Sequence, residues 1–230
     1  MTKISPSVLS VDFTKVSEWL PLLEKAKTDF MHWDIMDNKY VPNNGVDKKH
    51  LIELRPLTKI PFDVHLMIEQ PENQIDFFLE NGVDMISFHL ETTKEAEKII
   101  KEVHTNGVKV GIAINNREDV KAIEPYLSKV DFFLVMTVEA GFGGQTFREE
   151  NIQKIEYLAH RRKELGLSFE IEVDGGINKE TAEKCVKAGT DILVAGNYVF
   201  KVTKDIEKAI DSLKQMKMER RNDLIKVLKE

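Results

Sequence analysis

The chain has 230 residues, with 33 Lys and Arg against 39 Asp and Glu, which gives a formal net charge of -6. A domain of this length buries roughly 70–75% of its unfolded surface, so it needs no disulfides, and its single cysteine cannot pair within the chain. The mild acidity argues against a nucleic-acid-binding face, which would carry clustered Lys and Arg. No apolar run reaches the roughly 20 residues of a membrane span, and the N-terminus is too polar for a secretory signal. We therefore expect a cytoplasmic protein with no membrane or nucleic-acid partner.

Short apolar or β-branched runs alternate with amphipathic, charged stretches along the chain. We predict eight strands, in the segments KISPSVL, FMHWDIM, FDVHLM, MISFHL, KVGIAI, FFLVMTV, FEIEVD and ILVAG, which begin at residues 3, 30, 62, 85, 109, 132, 169 and 192. Helices are predicted between them, over residues 14–27, 72–81, 94–106, 118–127, 149–165 and 179–187. Asn81-Gly82, Asn106-Gly107 and Ala188-Gly189 are typical of the glycine caps that end helices.

This alternation predicts an α/β protein with right-handed parallel crossovers. About eight strand–helix units in a chain of this length predict one (β/α)8 TIM barrel over residues 1–230. An open doubly wound sheet is the alternative, but the GxGxxG turn that would follow its first strand is absent. The charged segment from residue 203 onwards is helical in pattern, and its first half can close the barrel. The helical extension at about residues 215–230 can pack, extend into solvent or contact a second copy of the chain, which leaves a homo-oligomer open.

Polar residues stand near the ends of three predicted strands, where a parallel barrel carries its function. His32 and Asp34 are two residues apart, so their side chains share one face of a strand, as do those of Asp63 and His65. Asp174 ends a third strand. Two imidazoles and two carboxylates converging on the barrel mouth fit a metal site with nitrogen and oxygen ligands. Any one of them alone is compatible with a hydrogen-bonded interior group, but burying all of them without a cation or a proton-transfer role would be costly.

Glycines follow three of the later strands. They lie in EAGFGGQTF at residues 139–147, in Gly175-Gly176 and in Gly196-Asn197. A glycine lets backbone N–H groups approach an anion closely, and the last loops of a barrel recurrently bind phosphate. A tight turn explains any one glycine, whereas three sets after strands favour a phosphate site.

Six strings occur in order along the chain: ISPSVLS, HWDIMDNKYVPN, DVHLM, VMTVEAGFGGQTF, EVDGGI and VAGNYVF. Together they closely resemble the ribulose-phosphate 3-epimerase family, and the likeness extends from about residue 4 to residue 200. The resemblance implies a barrel of the ribulose-phosphate-binding type. It also implies an isomerase of the pentose phosphate pathway that interconverts D-ribulose 5-phosphate and D-xylulose 5-phosphate. The implied cofactor is one divalent metal ion, with zinc as the first choice and iron, manganese or cobalt as alternatives.

The resemblance also assigns roles to individual residues. It makes His32, Asp34, His65 and Asp174 the metal ligands, and Asp34 and Asp174 also the acid/base pair on opposite faces of the substrate. The implied substrate contacts are Ser7, His65, Met36, Met67, Met136, Gly141, Phe142, Gly143, Gly144, Asp174, Gly175, Gly176, Gly196 and Asn197. Ser7 would contact the sugar, the methionines would line the reacting carbons, and the glycine segments would hold the phosphate. Two carboxylates suffice to move a proton from one face of the carbon to the other, and a cation would stabilise the enediolate between the two steps.

The loops after the strands depart from the family pattern at several positions. NGVDKKHL follows VPN, Ala140 and Leu90 replace usual prolines, and Asn197-Tyr198 replaces a usual Ser-Ala pair. A sister 3-epimerase acting on D-allulose 6-phosphate would use the same metal and aspartates, and residues 43–49, expected near the sugar end, could alter the preference between the two sugars. A non-catalytic phosphate-binding barrel would have lost one of the four metal-site residues, and all four are present. A site of the orotidine-phosphate decarboxylase type would need a lysine where Met36 stands.

Overall fold

Eight parallel strands form one sheet in a computed structural model that describes residues 2–203 and 205–216. The strands are β1 (Lys3–Ser5), β2 (Met31–Met36), β3 (Phe62–Met67), β4 (Met85–His89), β5 (Lys109–Ile114), β6 (Phe132–Met136), β7 (Glu170–Asp174) and β8 (Ile192–Val194). Their order in the sheet is β1-β8-β7-β6-β5-β4-β3-β2. All eight predicted strands are therefore confirmed.

The two end strands meet just beyond β1, where Ser7 forms a parallel bridge with His32. The backbone N–H of His32 donates to the carbonyl oxygen of Pro6 at 3.0 Å. These contacts bring the sheet close to closure, and the fold is the predicted (β/α)8 TIM barrel.

An α-helix follows each strand except β5. These helices are α1 (Val16–Lys25), α2 (Lys48–Leu54), α3 (Ile75–Glu80), α4 (Ala96–Thr105), α5 (Ile152–Glu164), α6 (Lys179–Ala188) and α7 (Ile206–Lys214). The helix predicted over residues 118–127 is a 3-10 helix at Val120–Tyr126, and its Pro125 lacks the N–H that an α-helix would use there. Helix α2 was not predicted. It is only seven residues long, and it begins within NGVDKKHL, a segment that the sequence analysis treats as a loop. The Asp47 side chain caps the helix by accepting a hydrogen bond from the backbone N–H of Lys49.

The tail and the helix ends follow the sequence pattern as far as the structure describes them. Helix α7 is the closing helix predicted in the first half of the tail. The predicted extension at about residues 215–230 lies outside the described residues, apart from its first two. Gly82, Gly107 and Gly189 have positive φ angles after α3, α4 and α6, as glycine caps do. Among the described residues, no helix combines the length and apolarity needed to cross a membrane.

The barrel interior is built from side chains that alternate strands contribute. An apolar cluster comes from the starts of the even-numbered strands and contains Phe30, Met85, Phe132 and Ile192. Three fully buried polar side chains from the odd-numbered strands lie further inside: Ser5, Asp63 and Glu172. Trp33 and Ile35 belong to the main core, as expected for side chains that alternate with His32 and Asp34. Polar groups thus occupy the middle of the barrel, beneath its carboxyl-terminal mouth.

Candidate active site

A cleft with about 570 Å³ of empty space opens where the strands end. Residues from the ends of β2, β3, β6, β7 and β8, and from the segments that follow β1, β6, β7 and β8, line it. All the residues that the sequence singles out for the site reach this cleft except two histidines. His32 and His65 are fully buried and contact the carboxylate of Asp34, which lines the cleft.

The two histidines and two aspartates form one compact cluster. Nε2 of His32 and Nδ1 of His65 each lie 3.5 Å from Oδ1 of Asp34. The same nitrogens lie 4.0 Å and 3.9 Å from Oδ2 of Asp174. The four ligand atoms all lie within 4.8 Å of one another, although they come from three different strands.

The donor set and its spacing fit a divalent metal ion. Ligand atoms about 2.1 Å from a common ion in a tetrahedral arrangement would stand roughly 3.4 Å apart, close to the distances between these nitrogens and oxygens. The two inward-facing nitrogens, Nε2 of His32 and Nδ1 of His65, are buried and have no hydrogen-bond partner within the described parts of the chain. Buried polar atoms without partners are rare, and a cation would satisfy both. The buried His/Asp cluster could therefore hold a metal ion.

The two aspartates of the cluster differ strongly in acidity. Burial favours the protonated form of Asp34, but His32 and His65 beside it hold the pKa of its carboxyl well below the ordinary value. Burial, and then the negative charge of Asp34, raise the pKa of Asp174 to about 7. Near neutral pH the Asp34 carboxyl is therefore ionised, whereas the Asp174 carboxyl exchanges between its protonated and ionised forms.

The hydroxyl of Ser7 donates a hydrogen bond of 2.6 Å to Oδ2 of Asp34. Because Oδ1 of Asp34 faces the two histidines, this bond holds the other carboxylate oxygen in place. Ser7 also lines the cleft, where the resemblance places a sugar contact. Its link to Asp34 joins residues from two different strand ends and has no signature in the local sequence.

The outward-facing nitrogens of the two histidines contact polar residues that the sequence analysis did not assign to the site. Nδ1 of His32 lies 2.7 Å from Oδ2 of Asp63. Nε2 of His65 lies 2.9 Å from Nε2 of His89, at the end of β4. The available signal for His89 was the alternation in MISFHL, which places it on the same face as Met85 and Ser87.

Three glycine-bearing segments face one another at the other side of the cleft. Gly144 lies against the side-chain amide of Asn197, whose oxygen accepts a hydrogen bond of 3.0 Å from the Ser10 hydroxyl. Gly176 lies against the backbone of Phe147. The lining of the cleft in the described chain contains no Lys or Arg, so backbone N–H groups, hydroxyls and the Asn197 amide are the donors it offers to an anion.

The loop after β2 contacts residues that line the cleft. Gly45 packs against the backbone of Asp34 and the side chain of Met36. The Asn43 side chain donates to the carbonyl oxygen of Gly141 at 2.6 Å. Gly45 thus contacts the end of β2, and Asn43 contacts the glycine-rich segment; the place of this loop near the sugar end stays a prediction.

Comparisons with known proteins agree with the fold and identify the family. The model of the ribulose-phosphate 3-epimerase family matches residues 3–200. The ribulose-phosphate 3-epimerase of Bacillus subtilis is 38% identical over 218 residues, which cover 94% of this chain and 100% of the relative. That of Methanocaldococcus jannaschii is 39% identical over 222 residues, or 96% and 94% of the two chains. The solved structure of KGPDC from Streptococcus mutans is similar over 94% of this chain and 98% of that one, with a TM-score of 0.70. At 14% identity, this likeness supports the fold alone. The chain belongs to the ribulose-phosphate 3-epimerase family, whose curated members are epimerases and hence isomerases.

Proposed function

We propose that this protein interconverts D-ribulose 5-phosphate and D-xylulose 5-phosphate by moving a proton at C3. The observation that carries the proposal is the pair Asp34 and Asp174, set in one buried His/Asp cluster beside a glycine-lined cleft. The names of the relatives support the pentulose phosphate as substrate.

The two aspartates are proposed as the acid/base pair. One carboxylate takes the proton from C3, and the electron pair of the broken C–H bond moves towards the C2 carbonyl to give an enediolate. The other carboxyl then returns a proton to the opposite face of C3, and the roles reverse with the direction of the reaction. The pKa of Asp34 is lowered and that of Asp174 is raised. These opposite shifts support the assignment of the two residues as an acid/base pair, because one group must accept a proton while the other supplies one.

His32, Asp34, His65 and Asp174 are proposed to hold one divalent metal ion. Once bound, such an ion supplies positive charge beside the oxygens of the enediolate and so stabilises it. Zinc is the first choice for two nitrogens and two carboxylates, and iron, manganese or cobalt suit the same donors. Ser7 keeps Asp34 in one orientation through its 2.6 Å hydrogen bond, which fits a role at the sugar end of the cleft.

The apolar wall and the glycine segments are proposed to orient the substrate. Met36, Met67 and Met136 line the cleft and provide a polarisable surface without exchangeable protons. The phosphate is proposed to lie against the glycine segments. The proposed contacts, all of which line the cleft, are Gly141, Phe142, Gly143, Gly144, Gly175, Gly176, Gly196 and Asn197. Since no cationic side chain of the described residues lines this part of the cleft, its backbone N–H groups would carry the recognition.

A coupled assay of the purified protein against D-ribulose 5-phosphate and D-allulose 6-phosphate tests the substrate assignment. We expect a higher kcat/KM for the pentulose phosphate. Some turnover of the longer sugar is also expected, because a misfit of one carbon is typically worth only about 1–3 kcal/mol. A clear preference for D-allulose 6-phosphate would overturn the substrate assignment and leave the two-aspartate chemistry intact.

A further inference from the structure

Both histidines of the cluster have a second ring nitrogen that points away from the carboxylates of Asp34 and Asp174. For His32 this nitrogen is Nδ1, which contacts Oδ2 of Asp63 at 2.7 Å. The same oxygen accepts a hydrogen bond of 2.8 Å from the Ser5 hydroxyl. Because a carboxylate accepts hydrogen bonds, Nδ1 of His32 carries a hydrogen, and in the neutral ring Nε2 is then free to face the cluster.

His65 has no carboxylate beside its second nitrogen and instead contacts His89. The two Nε2 atoms lie 2.9 Å apart, and both side chains are fully buried. Two ring nitrogens at this distance share one hydrogen, so one donates and the other accepts. If Nδ1 of His65 is to bind a cation, the hydrogen must sit on its Nε2, and His89 must be the acceptor.

Since Nε2 of His89 then accepts the hydrogen bond from His65, the ring hydrogen of His89 must lie on its Nδ1. This atom is buried and makes no hydrogen bond within the described residues, but it lies 3.4 Å from Oε1 of Glu91, which is within ion-pair distance. The same Glu91 oxygen accepts from the Tyr40 hydroxyl at 2.6 Å, and that hydroxyl accepts from the Asn115 amide at 2.9 Å. The Asn115 amide and the Tyr40 hydroxyl therefore donate in the direction of Glu91, and Nδ1 of His89 lies beside the same carboxylate.

The acidity of Glu91 agrees with its place at the end of this series. Burial favours the protonated form, but the contacts from His89 and Tyr40 lower the pKa of the Glu91 carboxyl to about 2. The carboxylate is therefore ionised and can only accept hydrogen bonds.

We propose that His89 and Glu91 are positioning residues that hold His65 in the tautomer and ring orientation that present its Nδ1 to the metal ion. The inference rests on the metal centre of the proposed function. Residues that hydrogen-bond to a metal-binding histidine fix its tautomer and raise its basicity. Asp63 fixes the tautomer of His32 by direct contact. For His65 the same role falls to His89, which is itself oriented by Glu91, and we call this series the His65–His89–Glu91 relay. If the relay ran in the opposite direction, the hydrogen of His65 would lie on Nδ1, between the ring and Asp34, and that nitrogen could not bind a cation.

Metal affinity tests the relay without measuring turnover. The full chain, freed of metal, is titrated with Co²⁺ while the visible absorption spectrum is recorded, and the dissociation constant is obtained by competition with a chelator. His89→Leu removes the acceptor, whereas His89→Gln keeps a carbonyl oxygen for Nε2 of His65. Glu91→Gln removes the charge at the end of the relay. His104→Leu is the control, because His104 pairs with Asp131 at 2.9 Å on the surface, away from the cleft.

We expect the wild-type protein and His104→Leu to bind one Co²⁺ with the same affinity. His89→Leu should weaken binding by about 10–100-fold and alter the spectrum, and Glu91→Gln should weaken it by less, roughly three- to tenfold. His89→Gln should recover most of the affinity.

Three results would overturn the relay, and they bear differently on the proposed function. Unchanged affinity in His89→Leu would overturn the relay and leave the metal centre standing. Equal losses in His89→Leu and His89→Gln would assign the effect to packing and not to the tautomer of His65. Failure of the wild-type protein to bind Co²⁺ would overturn the relay together with the metal centre.

Discussion

Replacing Gly176 with alanine tests the proposed phosphate site through the backbone itself. Gly176 has a φ of +65°, and a Cβ there would lie 2.8 Å from the nitrogen and 2.9 Å from the Cα of Phe147. The left-handed conformation costs an alanine roughly 1–2 kcal/mol. Overpacking against atoms that cannot move aside adds about 1–3 kcal/mol, because the contact is with backbone and not with the end of a flexible side chain. We therefore expect a destabilisation of about 2–5 kcal/mol.

Gly166→Ala is the matched control, because Gly166 has a φ of +62° but nothing within 4 Å of a Cβ. In a chain of this length each kcal/mol lowers Tm by about 2–4 °C, so the control should lose about 2–8 °C and Gly176→Ala about 4–20 °C. Displacing one charge-assisted hydrogen bond to the phosphate is worth about 1.5–3 kcal/mol, so kcat/KM should fall about 10–100-fold in Gly176→Ala only. Calorimetry and the coupled assay measure both effects. If the two variants had the same Tm and the same kcat/KM, the close approach at Gly176 would have no role in folding or binding.

Three further predictions concern the His/Asp cluster. Asp34→Asn and Asp174→Asn should each lower kcat by about 10²–10⁴-fold with a much smaller change in KM. Metal content is measured for both variants, and near-normal turnover in either would contradict the acid/base assignment. Chelation should abolish activity and a divalent ion should restore it; elemental analysis that finds no metal in fully active protein would refute the metal centre. Metal affinity should fall as pH drops through neutrality, because two proposed ligands must lose a proton to bind the ion: Asp174, whose pKa is raised to about 7, and His32, whose pKa, despite burial, the carboxylates of Asp63 and Asp34 raise well above the ordinary value. Binding should weaken by up to about tenfold per pH unit for each proton displaced, and an affinity that is constant between about pH 6 and pH 8 would contradict this.

The sequence predicts the barrel and the cluster because both follow from simple periodicities. A strand places alternate residues on one face, so HWD and DVH bring polar side chains to the interior, and parallel strands bring their carboxyl ends to one mouth. That logic places His32, Asp34, His65 and Asp174 inside the barrel without any knowledge of distances, but it places Asp63 there as well, and the resemblance to the family selects the four. The glycine segments were found in the same way, from their positions directly after strands.

The residues around the cluster could not be identified in this way, because their roles depend on contacts between strands. Alternation alone places His89 inside the barrel, but it does not reveal that its ring nitrogen lies 2.9 Å from that of His65. The hydrogen bond from Ser7 to Asp34 depends on how β1 and β2 approach each other when the barrel closes. Helix α2 was missed for a different reason: seven residues give too short an apolar pattern to distinguish a helix from a loop.

The central claim, proton transfer at C3 of a pentulose phosphate, is tested most directly by running the reaction in D₂O. Proton NMR of D-ribulose 5-phosphate with the purified protein should show loss of the C3 proton signal in both epimers, because carboxyls that exchange with solvent return deuterium. The C1 proton signals should remain, and Asp34→Asn and Asp174→Asn should suppress the exchange. Formation of D-xylulose 5-phosphate with the original C3 proton retained, or exchange at C1 in place of C3, would contradict the two-aspartate mechanism.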